Sequence, residues 1–267
     1  MRTSGWFGAL LVAALAVTLV FLALPVLAIF LHTSPGQLVE SLGDGSSTDA
    51  LRLSIECSAA AVLIIVVVGT PAAYLLATRS FRGRSLVVTV IELPLVLPPA
   101  VAGIGLLASL GPSGILGDFV KSTGLQLVFA TAGVIVALTF VSAPFYLRQA
   151  QAAFGALDPS WLDASRTLGA GEARTWLRVA IPTARQGLAA GLALALGRAL
   201  GEFGATLMFA GSFRGVTQTT PLAIYQDFST DFTGALALSA VLVAVSAAIL
   251  MGVKLLSGPA LFASASS

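Results

Sequence analysis

Six long apolar runs separated by polar stretches set out the plan of this chain. A helix that crosses a bilayer needs roughly 20 predominantly apolar residues. The runs at 6–31, 53–78, 86–110, 126–147, 187–211 and 234–256 each reach that length, and they predict an all-α polytopic membrane protein with six transmembrane helices. The first run is longer than the apolar core of a secretory leader, and no small-residue cleavage site follows it closely. It therefore predicts an uncleaved helix. Residues 32–51 carry Glu40, Asp44 and Asp49 among glycines and serines, which reads as an acidic, turn-rich loop. The chain divides into an N-terminal helix and loop over 1–52, a transmembrane domain over 53–256 and a short tail over 257–267.

Prolines fall inside four of the six runs: Pro25, Pro71, the cluster Pro94, Pro98 and Pro99, and Pro144. Each removes a backbone donor and kinks or breaks its helix. Breaks persist in a membrane only where the freed carbonyls are buried in protein or face a wet cavity. Repeated breaks therefore predict a pathway with moving parts. In the third run, Gly103 and Gly105 follow the cluster and loosen the helix further.

Composition narrows the class. Only 26 of 267 residues are charged, 57% are hydrophobic, and the mean hydropathy is +0.97. Soluble domains carry about 25% charged residues, so this chain cannot solvate an ordinary surface. The net charge of +2 comes from loop arginines, with no basic run interleaved with aromatics, so no nucleic-acid partner is expected. Cys57 is the only cysteine and reads as a small packing residue; no intrachain disulfide can form. His32 is the only histidine, with no second ligand nearby, so no metal site is expected.

Basic residues predict orientation, because cytoplasmic segments carry the excess of Lys and Arg. With a cytoplasmic N-terminus, the inner segments hold Arg2, Arg79, Arg82, Arg84, Arg148, Arg166, Arg174, Arg178, Arg185 and Lys254. The outer segments hold only Arg52, Lys121 and Arg214, so both termini are expected inside. The longest inner segment, 150–185, predicts more than a linker. Asp158 and Pro159 read as a helix cap and first helical residue. A short amphipathic helix through Trp161, Leu162, Ser165 and Leu168 would end in a left-handed cap at Gly169. A second segment, 172–180, would return toward the membrane and stop at Pro182. Two readings stay open: a blunt knob that holds a partner, or a helix lying along the lipid surface.

The spacing Asp163-Ala164-Ser165, three residues, Gly169, nine residues, Val179-Ala180-Ile181-Pro182 resembles a motif of the permease subunits of bacterial ABC importers. In that motif Glu-Ala-Ala precedes the glycine and Ile-x-Leu-Pro closes it, so Asp163, Ser165, Val179 and Ile181 are mild departures. The segments Leu93 to Pro99, Arg166 to Gly171 and Leu200 to Thr206 resemble the molybdate permease branch, with sulfate permeases as near relatives. The resemblance covers roughly residues 50–256 and implies a type I ABC importer permease. It implies that Asp163, Ala164, Ser165, Leu168, Gly169, Ile181 and Pro182 belong to a coupling helix seated in an ABC ATPase subunit. It also implies an extracytoplasmic molybdate-binding protein and a homodimer of the permease. No Gly-x-x-x-x-Gly-Lys-Ser/Thr occurs, so ATP and Mg are expected on the separate ATPase and no cofactor on this chain.

Ionisable residues inside spans are costly and mark functional candidates. Glu92 reads as snorkelling to the interface and Glu56 as a neighbour of Arg52. Arg198 and Glu202 are four apart and can pair on one helical face. They either fix packing or, with Pro98, Pro99 and Gly204, line or gate a pathway; glycines 197, 201 and 204 permit close helix approach. A dianion needs several donors to bind tightly, and a single arginine shared with a glutamate predicts a weak passage with selection elsewhere. The polar segment 211–220 reads either as an outer hand-over surface or as a plain loop. A sulfate permease remains an alternative cargo reading. An ion-gradient carrier would predict inverted repeats, and none is evident.

Overall fold

In the computed structural model, which describes residues 5–256, every regular element among the described residues is helical. The elements are α1 (Gly5–Leu31), α2 (Pro35–Gly43), α3 (Gly45–Thr78), α4 (Arg84–Val96), α5 (Pro99–Leu110), α6 (Gly117–Ser122) and α7 (Thr131–Gly155). They continue as α8 (Pro159–Thr167), α9 (Glu172–Thr175), a π-helical turn (Trp176–Ala180), α10 (Ile181–Leu200), α11 (Gly204–Ala210), α12 (Thr220–Asp227) and α13 (Phe232–Leu256). The tail expected at 257–267 lies outside the described residues.

Among the described residues, five helices are long and apolar enough to cross a membrane: Trp6–Leu31, Gly45–Thr78, Thr131–Gly155, Glu172–Leu200 and Phe232–Val253. A sixth crossing is the pair α4 and α5, bent by 119°. Register settles how that pair counts. Leu53, Cys57 and Ala61 of α3 cluster with Val134 and Leu138 of α7, while Val62, Ile65 and Ala73 cluster with Tyr146, Ala150 and Phe154. The numbers rise together, so α3 and α7 are parallel and the chain must return between them. The bent pair makes that return, giving six crossings. α10 runs antiparallel to α7: Ala184 joins Phe154 at one end and Ala199 joins Val134 at the other. α1 has none of its apolar window buried, against 44% for α7. A helix apolar all round that touches the bundle mainly along α13 is suited to face lipid.

The structure departs from the sequence reading in four places. Residues 32–51 are mostly helical, because Ser34 and Gln37 form a reciprocal capping box before Pro35–Gly43 and Asp44 caps α3. Pro25, Pro71 and Pro144 sit inside continuous helices. Pro94 likewise stays inside α4, and a helix breaks only at Pro98 and Pro99: Leu97 and Pro98 are both extended, as a residue before proline tends to be. The expected fifth span, 187–211, instead ends at Leu200, while its helix starts as early as Glu172. Pro182 does not stop that helix. It lies in the first turn of α10, where the preceding π turn has already loosened the hydrogen-bond ladder.

Candidate functional site

At the end of the bundle where α7 stops, residues 156–175 form a knob built on α8 and α9. The Asp158 carboxylate accepts from the Ser160 amide at 2.9 Å, with Pro159 next in line, so the helix start is fixed locally. That bond holds the Asp158 carboxyl below its usual range. At the other end the Gly169 amide donates to Arg166 and the Ala170 amide donates to Ser165. These two bonds make a Schellman cap around Gly169, whose φ of +81° is open to glycine and strained for other residues.

The inner face of α8 is tied down. Leu162 is buried in a cluster with Phe154, Ala180 and Ala184, against which Tyr74 and Trp176 pack. Ser165 shares a 3.0 Å hydrogen bond with the buried Thr175 hydroxyl. Glu172 pairs with Arg79 from the end of α3 at 2.6 Å, and Tyr74 meets Phe154 edge-on at 5.3 Å. The outer face is bare: Trp161 is 52% exposed and Leu168 88%. Asp163 is exposed and pairs with Arg166 at 3.0 Å, and Ala164 is exposed beside it. Ile181 and Pro182 stand apart from this tip, in the helix that leads back into the bundle. A rigid body with an apolar tip can transmit displacement along that helix.

The helix ends at the second cluster of candidates. The chain leaves α10 at Gly201 and re-enters helix at Gly204, so Glu202 does not share the expected continuous helical face with Arg198. The two nevertheless pair, through the Glu202 Oε2 and Arg198 Nη2 atoms. The other carboxylate oxygen accepts the Ala205 amide at 2.7 Å, a capping contact at the start of α11. The Glu202 side chain is 1% exposed and that of Arg198 25%.

α11 lies directly on α5. A Cβ added to Gly204 would stand 2.9 Å from the Pro99 Cβ, and one added to Gly103 would stand 2.6 Å from the Ala205 carbonyl oxygen. Pro99 and Gly204 therefore meet in one contact between two broken spans, with Pro98 immediately before it in the chain. Gly197 and Gly201 make no comparably tight approach. Two further relationships are tertiary. Glu92, expected to snorkel, pairs with Arg148 at 2.7 Å across α4 and α7, because α7 continues past 147 to Gly155. Within 211–220, Thr217, Thr219 and Thr220 are buried, and the Thr220 amide donates to Ser54 at 2.7 Å. Residues 217–220 are thus packed polar structure, while Phe213, Arg214, Gly215 and Val216 are exposed.

Comparison with known proteins agrees with this geometry. Residues 65–261 match the family described as binding-protein-dependent transport system inner membrane component. The chain is 40% identical over 235 residues to the molybdenum transport system permease ModB of Mycobacterium tuberculosis, covering 88% of this chain and 89% of the relative. It is 37% identical over 242 residues to a probable molybdenum ABC transporter permease of Haloferax volcanii, covering 90% and 87%. It is 33% identical over 248 residues to the sulfate permease CysW of Synechocystis, covering 92% and 90%. Among solved structures, a bacterial alginate ABC importer superposes with a TM-score of 0.73 at 18% identity, over 94% of both chains. The fold is that of ABC importer permeases. The chain belongs to the family of binding-protein-dependent transport system inner membrane components.

Proposed function

We propose that this permease passes molybdate, or its congener tungstate, into the cytoplasm after delivery by an extracytoplasmic binding protein. The observation that carries the transport reading is the knob, locked to α3 by Arg79 and Glu172 and bare at Trp161 and Leu168. A separate ABC ATPase holding ATP and Mg takes that tip, through Asp163, Ala164, Ser165, Leu168 and Gly169. Motion of the knob then passes along the helix containing Ile181 and Pro182. It reaches the contact of Pro99 with Gly204, next to Pro98, Arg198 and Glu202, which opens or shuts the path. Two copies of the permease form the working unit, with the knobs and both termini on the cytoplasmic side, as the arginine distribution favours.

The cargo reading rests on the 40% identity to a molybdenum permease. The 33% identity to a sulfate permease supports sulfate as the second reading. Reconstitution with the cognate ATPase and binding protein, measuring ATP-driven uptake of molybdate against sulfate, decides between them. Molybdate uptake that sulfate does not compete is expected. Uptake of sulfate alone overturns the cargo, and uptake without ATP overturns the mechanism.

A further inference from the structure

A groove of about 510 Å³ runs between α7, α10 and α13, open on one side and lined by Gln149, Ala193, Gly197, Arg198 and Leu250 among others. Among the described residues Arg198 is the only ionisable one in that lining. Its guanidinium carries five N–H donors. Among the described residues only Glu202 engages them, and that carboxylate is shared with the Ala205 amide. Most of the donors of a largely buried cation are thus left without a protein acceptor, and the side chain lines the groove. The volume would hold on the order of 15 waters, enough for a small anion with much of its hydration.

We propose that Arg198 is the residue that touches the oxyanion as it passes, with this groove as a transit site of low affinity. The proposal rests on the oxyanion-import reading above. Glu202 has a defined part in it. Full neutralisation would leave nothing to attract an anion, and an unpaired guanidinium would hold one too tightly to release. Conduction requires binding that is favourable enough to enter and weak enough to leave. A carboxylate divided between a cation and a helix start meets that requirement. Gln149 lines the same groove two helical turns toward the knob: it packs on Gly191, seven residues before Arg198, or about 10 Å along the helix. Its amide is the next donor in line.

The test uses the complete transporter, with its ATPase and binding protein, in proteoliposomes, and molybdate as the probe. The double variant Arg198→Gln/Glu202→Gln removes both charges and keeps an amide oxygen for Ala205. We expect it to melt close to the unaltered protein and to move at least about tenfold less molybdate per ATP hydrolysed, as loss of one charge-assisted hydrogen bond implies. Arg198→Lys, which keeps the charge, should lose less. A double variant with unchanged molybdate per ATP overturns the proposal. So does a parallel fall of uptake and ATP hydrolysis with the ratio intact, which would make Arg198 an assembly residue. If the unaltered protein moves sulfate and not molybdate, and the double variant loses sulfate, the contact stands and the cargo reading falls.

Discussion

Gly204 lies so close to Pro99 that a methyl group on the glycine would stand 2.9 Å from the proline Cβ. One turn further along α5, Gly103 meets the Ala205 carbonyl in the same way. The break in one span is thereby seated on the break in another. Two short helices that would each expose backbone ends to lipid bury them against one another.

Replacing Gly103 with alanine should destabilise the protein by about 1–3 kcal/mol, the usual range for overpacking. The neighbour at 2.6 Å is backbone and cannot swing aside. Thermal unfolding in detergent measures this. Gly105, which has nothing within 4 Å of its added Cβ, is the control and should tolerate alanine without loss.

Removing Arg198 alone should be worse than removing Arg198 and Glu202 together. Arg198→Gln leaves a carboxylate that is 1% exposed without its cation, a change that typically costs about 3–5 kcal/mol. Adding Glu202→Gln removes the stranded charge and should recover much of the melting temperature. Equal melting temperatures for the single and double variants would show that the pair carries no stabilising role.

The knob should separate folding from coupling. Leu168→Asp changes an 88% exposed tip, so insertion and melting should stay as they are while capture of the ATPase in detergent falls. Gly169→Val acts on the cap: φ is +81°, and a left-handed conformation costs other residues about 1–2 kcal/mol. That variant should hydrolyse ATP with little uptake. Normal coupled uptake by Gly169→Val would remove the coupling role from this loop.

Acid should affect the other end of the molecule. Asp227 shares a polar pocket with Glu40, Asp44 and Asp231, and burial together with the charges of Asp231 and Asp44 raises its pKa above 3.8. A raised carboxyl pKa means that the folded state holds its proton longer than the unfolded chain. Stability is then lost as pH rises from about 3.8 through the folded value. Asp227→Asn should match the unaltered protein at the acid side of that window and melt higher at neutral pH. Identical melting curves at pH 7 would contradict this.

Local chemistry made the knob legible from sequence. Asp158, Pro159 and Gly169 each need only their immediate neighbours to specify a cap, and all three form as the spacing implies. The six crossings were legible for the same reason, since apolar length is a property of a segment. The bend at Pro98 was marked by composition, but where α5 then points depends on Gly103 meeting Ala205 and Pro99 meeting Gly204 across about 100 residues of chain. The Glu92–Arg148 pair was hidden because it required knowing that α7 outlasts its apolar run. Isolated prolines misled in the opposite direction: a helix held by neighbours survives the loss of one bond.

The π turn at Trp176–Ala180 gives the last prediction. It contains one residue more than an α-helix needs, between a knob anchored to α3 and a helix keyed to α7. The keys are Gly187 against Ala153 and Gly191 against Tyr146 and Gln149. Deleting the exposed Leu177 should convert the turn to α-helix, because the turn holds the one residue that an α-helix would not need. The Arg79–Glu172, Ser165–Thr175 and glycine contacts can then all persist, so melting should stay close to that of the unaltered protein. Uptake should nevertheless fall at least about tenfold, because the loosened ladder between the knob and the bundle is gone. Pro182→Ala, which only restores a backbone donor, should leave uptake near normal. Full uptake by the deletion variant would mean that the turn accommodates Pro182 and has no part in transmission.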